Sequence, residues 1–90
     1  MDSYKIEWKR SAIRELKGLP KEVVPRIVKE IGELSMNPYP HGVKKLSGSE
    51  HTYRIRQGSY RVVYTVTKAT SVVEIVRVGH RKDVYDQWPP

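Results

Sequence analysis

The chain has 90 residues, no cysteine and a formal charge of +7 at pH 7. This length predicts a single domain over residues 1–90, and the lack of cysteine excludes disulfide bonds and thiolate metal sites. No apolar run reaches the length of a membrane span or a secretory signal, so we expect a cytoplasmic protein without a membrane partner. The positive charge favours a polyanion or an acidic protein as partner.

The first part of the chain predicts one strand followed by two helices. Apolar and charged residues alternate over residues 4–8, which is typical of a strand with one buried face. From about Lys9 the apolar residues recur every three or four positions, which indicates an amphipathic helix ending at Gly18. Pro20 suits the first turn of a second helix, whose apolar stripe runs over residues 23–34.

The second part predicts a sheet. Two prolines and a glycine make residues 37–42 a loop. Four strand-like stretches follow, over residues 43–46, 52–56, 60–66 and 72–78. The last is apolar almost throughout, which indicates an interior strand covered on both faces. The expected fold is therefore α+β: an N-terminal strand, an antiparallel helix pair and then a three- to four-stranded, mainly antiparallel sheet.

Basic residues are concentrated in this second part. Residues 41–85 carry nine Lys/Arg against three Asp/Glu, or +6. Four of these cations are arginines at strand positions or strand ends, namely Arg54, Arg56, Arg61 and Arg81. A guanidinium binds phosphate through two parallel hydrogen bonds, and rigid strands can aim several of them together. Each arginine alone is more often part of a solvated strand face, but together they predict a phosphate site.

Two sequence motifs carry a resemblance to a known family. Residues 53–64 read Tyr-Arg-Ile-Arg-Gln-Gly-Ser-Tyr-Arg-Val-Val-Tyr, and residues 76–85 read Val-Arg-Val-Gly-His-Arg-Lys-Asp-Val-Tyr. With the preceding Lys44-Lys45-Leu46, they resemble the RelE branch of the RelE/ParE toxin superfamily. The resemblance implies a toxin of a type II toxin–antitoxin system: a ribosome-dependent, metal-independent endoribonuclease that cuts mRNA and is held inactive by a cognate antitoxin.

The resemblance also implies roles for single residues. Arg61 would stabilise the transition state, Arg81 would stabilise charge on the leaving-group side, and Tyr85 would be the C-terminal active-site tyrosine. The family often has lysines where Arg54 and Arg56 stand, one of them a candidate base. Because arginine hardly gives up its proton, we expect these two to bind phosphate, which leaves the base open.

His80 is a candidate acid or base, since imidazole titrates near pH ~6.5. Adjacent strand residues point to opposite faces, however, so only one of His80 and Arg81 can face the site if both are extended. We expect RNA backbone contacts from Lys44, Lys45 and Lys82, although edge-strand lysines also serve to prevent aggregation. No cofactor is expected, and the RNA 2′-hydroxyl would be the nucleophile.

The implied partners are the ribosome with its mRNA and an acidic antitoxin in a hetero-oligomer. Two alternatives remain open at this point. One is a ParE-like toxin that shares the fold but inhibits DNA gyrase without cutting RNA. The other is a small basic RNA-binding module without catalysis. The ending Gly79-His80-Arg81 with Tyr85 favours the nuclease over the ParE-like toxin. The RNA-binding module stays open, because the lysines typical of the family are absent at Arg54 and Arg56.

Overall fold

The computed structural model describes residues 3–46 and 48–80. Its elements in chain order are β1 (Lys5–Trp8), α1 (Arg10–Lys17), α2 (Val24–Glu33), β2 (Lys44–Lys45), β3 (Thr52–Gln57), β4 (Tyr60–Thr67) and β5 (Val72–His80). This order confirms the predicted α+β arrangement of one strand, two helices and further strands. Neither helix is long and apolar enough to cross a bilayer within this part of the chain.

The five strands form one sheet in the order β1-β5-β4-β3-β2. The first strand runs parallel to the last, pairing Lys5 with Val72 through Trp8 with Ile75, while all other neighbours are antiparallel. A parallel pair needs a long crossover, which here contains both helices and three strands. The apolar β5 lies inside the sheet between β1 and β4, as its sequence predicts.

The second helix begins one turn later than the sequence suggests. It starts at Val24 with Pro25 in its first turn, where a missing backbone N–H costs no helical hydrogen bond. Pro20 instead begins a turn, and its carbonyl accepts from the backbone N–H groups of Val23 and Val24 at 3.0 and 3.4 Å. The prediction that Pro20 occupies the first helical turn is therefore wrong.

One face of the sheet packs against the helices and forms the core. Ile27, Ile31 and Leu34 of α2 are buried there against strand side chains that include Val62, Tyr64, Val73, Ile75 and Val78. Tyr64 belongs to this core, and Tyr53 and Tyr60 pack against it, so all three tyrosines contribute to packing. The Tyr64 hydroxyl also donates a 2.6 Å hydrogen bond to the Pro38 carbonyl, so its polar end is satisfied.

Helix α1 covers the edge of β5. Strand β1 pairs only with residues 72–75 of β5, and Glu15 reaches the strand beyond them. Its carboxylate accepts a 3.0 Å hydrogen bond from the backbone N–H of Val78 and forms an ion pair of 3.0 Å with Arg77. Charge-assisted bonds of this kind fix α1 to the strand end and satisfy an edge amide.

A tight hairpin joins β3 to β4. Gln57 pairs with Tyr60, which leaves a two-residue loop of Gly58 and Ser59. Gly58 has a φ of +60° at the first position of this loop, the conformation that a type II′ turn requires of glycine. The turn fixes the register of everything that follows on the two strands.

Candidate nucleic-acid interface

The face of the sheet opposite α1 and α2 carries a row of cations. The register pairs Arg56 with Arg61 across β3 and β4 and pairs Lys44 with Arg54 across β2 and β3. Directly paired residues point to the same face, as do residues two apart on one strand. The structure therefore brings together Lys44, Arg54, Arg56 and Arg61, which we call the arginine row.

Arg61 is the most constrained member of the arginine row. Its side chain is only 4% exposed, and its Nη1 donates to the carbonyls of Gly58 and Tyr60 at 3.0 and 3.1 Å. The guanidinium of Arg61 thus links the hairpin turn to the start of β4. A fixed orientation is what preorganised charge stabilisation requires, because no reorganisation is then needed during the reaction.

The pairing of Arg56 with Arg61 places two cations opposite each other. Like charges in directly paired positions destabilise a sheet, so an anion bound beside them would remove an unfavourable interaction. Arg54 is also buried, with 7% of its surface exposed, whereas Arg56 is exposed. The arginine row therefore joins two buried arginines to one that is exposed.

Arg56 lies where β3 extends beyond its pairing with β2. That pairing ends at Arg54, and a cavity of about 180 Å³ opens beside it, lined in part by Glu30, His41 and Arg56. Arg56 and Lys44 are the exposed members of the row.

His80 lies on the other face. It pairs with Tyr60 across β4 and β5, and the two rings meet edge to face with centroids 5.7 Å apart. Because Tyr60 packs into the helix-side core, this pairing directs His80 away from Arg61. The placement weighs against His80 as acid or base at the arginine row, and that role remains a prediction.

The two neighbouring lysines are also divided between the faces. Lys44 pairs with Arg54 and joins the row, whereas Lys45 pairs with Tyr53, a residue of the helix-side cluster. Both lysines are exposed. They therefore cannot act as one RNA contact on a single face.

The remaining predicted site residues are Arg81, Lys82 and Tyr85, and all three lie outside the described residues. Their proposed parts in leaving-group stabilisation, RNA binding and catalysis stay predictions. Among residues 3–46 and 48–80, no group of three His, Asp or Glu side chains could hold a metal ion.

Two tyrosines of the helix side have raised pKa values. Burial raises the pKa of Tyr64 far above its ordinary value, with smaller contributions from Tyr39 and Tyr53. Burial likewise raises the pKa of Tyr39, whose ring meets that of Tyr53 edge to face at 5.1 Å. At neutral pH both phenols are protonated, which suits packing and excludes them as bases.

Comparisons with known proteins show which family the chain resembles. Residues 6–85 match the family model described as ParE toxin of type II toxin–antitoxin system. The chain is 34% identical over 89 residues to toxin RelE3 of Methanocaldococcus jannaschii, covering 94% of this chain and 99% of that protein.

Solved structures give the same result. The Mycobacterium tuberculosis toxin–antitoxin complex RelBE2 contains a chain with 32% identity and a TM-score of 0.76, covering 88% of this chain and 99% of that one. The archaeal RelE–RelB complex from Pyrococcus horikoshii gives 30% identity and a TM-score of 0.77, with 87% and 94% covered. The similarity therefore extends over nearly the whole length of each protein.

Proposed function

Since the chain belongs to the RelE/ParE toxins of type II toxin–antitoxin systems, we propose that it is a ribosome-dependent endoribonuclease that cuts mRNA without a metal ion. The observation that carries this proposal is the pairing of Arg56 with Arg61 beside Arg54 on one face. Three guanidinium groups in this arrangement bind an RNA phosphate and stabilise the charge that it gains.

In the proposed reaction, the RNA 2′-hydroxyl attacks the adjacent phosphorus while its proton passes to a base. The bond from phosphorus to the 5′-oxygen breaks, and that oxygen takes up a proton from an acid. The products are a 2′,3′-cyclic phosphate and a free 5′-hydroxyl. Arg61 stabilises the pentacovalent phosphorus, Arg54 and Arg56 hold the backbone, and Arg81 stabilises the leaving oxygen.

The base has to come from elsewhere, because an arginine does not take up a proton at physiological pH. Tyr85 is our first candidate, since nearby guanidinium groups would lower the pKa of a phenol. The ribosome is the second, because a toxin that acts in the decoding site can use groups of its RNA. Because His80 lies on the opposite face, the ribosome becomes a stronger candidate for supplying the base.

Burial adds a requirement to this mechanism. Arg54 and Arg61 are 7% and 4% exposed in the isolated chain, so a phosphate does not reach them in this conformation. We therefore propose that contacts with the ribosome make this face more accessible, while Arg61 keeps its bonds to the turn. Cleavage of free RNA is accordingly expected to be weak.

We further propose that a cognate antitoxin binds this chain and neutralises it. The M. tuberculosis and P. horikoshii neighbours were both solved as toxin–antitoxin complexes, which supports such a partner. With a chain charge of +7, the antitoxin surface is expected to be acidic, in a hetero-oligomer that weakens as salt is added.

A second candidate function follows from the family model itself, which describes a ParE toxin. A ParE-like toxin would bind DNA gyrase and leave RNA intact. The RelE name of the M. jannaschii relative and the arginine row favour the nuclease, because inhibition of gyrase requires no stabilisation of a developing phosphate charge.

The chemical nature of the mRNA fragment ends distinguishes these two functions. Purified toxin would be added to translating ribosomes, and the termini of the resulting mRNA fragments would be mapped and chemically typed. Cuts inside codons with cyclic phosphate and 5′-hydroxyl ends are expected, and Arg61→Ala should lower their rate by about 10² to 10³. Arg10→Ala, on an exposed helix position, is the control that should cut normally.

Two outcomes would contradict the nuclease. Fragments with 3′-hydroxyl and 5′-phosphate ends would indicate a water-attack mechanism of another class. Intact mRNA together with gyrase-dependent DNA breaks would establish the ParE-like function.

A further inference from the structure

The helix side of the sheet has two adjoining grooves at the hairpin end. One, of about 320 Å³, lies between α1 and β5 and is lined by Arg14 and Leu19 together with Tyr60 and His80. The other, of about 250 Å³, lies between α2 and the hairpin turn and is lined by Arg26 and Ser59 with the same two rings. We call this surface, defined by Arg14, Arg26, Tyr60 and His80, the twin groove.

The twin groove lies in a basic part of the chain. Residues 9–29 carry seven Lys/Arg and only two Glu, or +5, and one of these carboxylates, that of Glu15, already binds Arg77. Arg14 and Arg26 are exposed, and neither forms an ion pair with any residue of the described ranges. Uncompensated cations beside a groove raise the local concentration of a polyanion.

Backbone amides of the nearby α2 N-terminus are already occupied. Those of Val23 and Val24 donate to Pro20, and those of Arg26 and Ile27 donate to Val23. An anion in this groove would therefore be held by the guanidinium of Arg26 and not by the end of the helix. The site depends on side chains that can be replaced one at a time.

Aromatic rings separate the two grooves. Tyr60 is half-buried and His80 is exposed, and their edge-to-face contact at 5.7 Å holds both rings in place. Cations that flank a rigid aromatic surface are typical of sites for single-stranded nucleic acid, in which phosphates meet the cations and a base stacks on a ring. An acidic peptide would use the cations but would gain nothing from the ring pair.

We propose that the twin groove is a second RNA-binding site, which takes single-stranded RNA through phosphates at Arg14 and Arg26 and a base at the Tyr60–His80 pair. The proposal rests on the proposed function only for the choice of RNA as the polyanion. The hairpin turn at Gly58 separates this surface from the arginine row, since Arg61 contacts the turn from one face and Ser59 lines the groove on the other. A strand that crosses the turn contacts both sites.

The test measures salt-dependent binding of a fluorescent oligouridylate of about 12 nucleotides, a length within the range that single-strand sites cover. Fluorescence anisotropy would be recorded between about 50 and 200 mM salt for the full chain and for the double variant Arg14→Gln/Arg26→Gln. Each lost phosphate contact lowers the slope of log K against log salt by about 0.7 on single strands, so a fall of about 1.4 is expected.

The matched control is Arg10→Gln/Lys29→Gln. It removes the same charge from the same two helices at exposed positions that line neither groove, and it should keep the slope of the parent chain. Tyr60→Leu should weaken binding by roughly 5- to 150-fold without changing the slope, and Tyr60→Phe should restore affinity. Circular dichroism checks that each variant folds. If Tyr60→Leu does not fold, the salt dependence of Arg14→Gln/Arg26→Gln alone tests the proposal.

Equal slopes for the double variant and its control would overturn the proposal. A polyglutamate peptide that competes as strongly as oligouridylate would also overturn it, because the surface would then be a contact for an acidic protein. Failure of the proposed nuclease looks different: ribosomal mRNA would stay intact while the slope still fell in the double variant. If ribosomal mRNA is cut but the slope of the double variant is unchanged, the second RNA-binding site is refuted and the proposed nuclease is not.

Discussion

The two faces of the sheet use the same strands for different purposes. On the helix face, β4 buries Val62, Tyr64 and Val66 against aliphatic helix residues. On the opposite face the same strand begins with Arg61, which is buried as a cation and bound to turn carbonyls. Because strand side chains alternate with a period of two, the same strand can bury apolar side chains on the helix face and place Arg61 beside the buried Val63 on the other face.

This division means that each face can be altered with little effect on the other. Burial of apolar side chains supplies the stability, and it compensates for the desolvation of Arg54 and Arg61 and for the repulsion between paired arginines. The helix face should therefore respond to mutation mainly in stability, and the arginine row mainly in activity.

The largest effect is expected from Ile27→Ala, a fully buried position on α2. Removing this side chain should lower the free energy of unfolding by about 2 to 5 kcal/mol, because a cavity remains in the core. Urea denaturation measures the loss. The cleavage rate per folded molecule should stay at the parent value, and Val28→Ala, at a 44% exposed position on the same helix, should change stability by at most about 0.5 kcal/mol.

Arg61→Lys is the corresponding change on the other face. Lysine keeps the charge but loses the planar pair of donors, so mRNA cleavage on ribosomes should fall by about 10². The free energy of unfolding should fall by about 1.5 to 3 kcal/mol, the scale of a hydrogen bond from a charged group, because the bonds to the turn are lost or weakened. Parallel measurement of cleavage and urea denaturation tests this, and a variant that loses stability but cleaves normally would abolish the contrast between the faces.

Glu15→Ala tests the contact between α1 and the edge of β5. It removes the contacts to Arg77 and to the Val78 amide, and hydrogen bonds to charged groups of this kind are worth about 1.5 to 3 kcal/mol. Hydrogen exchange at Val78 should speed up selectively. Glu15→Gln keeps an acceptor for the amide and should show an intermediate loss, whereas equal behaviour of the two variants would mean that the charge contributes nothing.

The smallest effect is expected from Tyr64→Phe, which leaves the Pro38 carbonyl without its donor and should cost about 1 kcal/mol at pH 7. Burial raises the pKa of Tyr64 in the folded chain, so the unfolded chain loses this proton first, near pH ~10. Stability is therefore retained below that pH and falls above it. The phenylalanine variant should show a shallower fall in alkaline denaturation curves.

Much of this arrangement could be predicted from the sequence because it depends on local patterns. Alternation and helical periodicity located the elements, and the arginines were expected to form a group. The two-residue loop of Gly58 and Ser59 pairs Gln57 with Tyr60 and, one step on, Arg56 with Arg61. That register follows from the turn, and it was a signal available in the sequence.

Other features depend on contacts between distant segments. No local sequence pattern indicates the parallel pairing of β1 with β5. The start of α2 depends on whether Pro20 or Pro25 occupies the first helical turn. The assignment of Lys45 and His80 to the helix face required the register of four strands, β2 with β3 and β4 with β5. The twin groove was missed because its arginines are on helices, although the excess of Lys/Arg in residues 9–29 could have indicated it.

The pairing of the first strand with the last has a consequence for how the protein is made. Residue 5 cannot find its partner, residue 72, until both helices and the strands between them have been synthesised, so the sheet closes only after β5 has emerged. Contacts between segments so far apart also fold slowly, because a long loop must close first. A product that stops before β5 would leave both β1 and β4 as open edges, prone to aggregation. Synthesis through β5 is therefore a condition for the sheet to close.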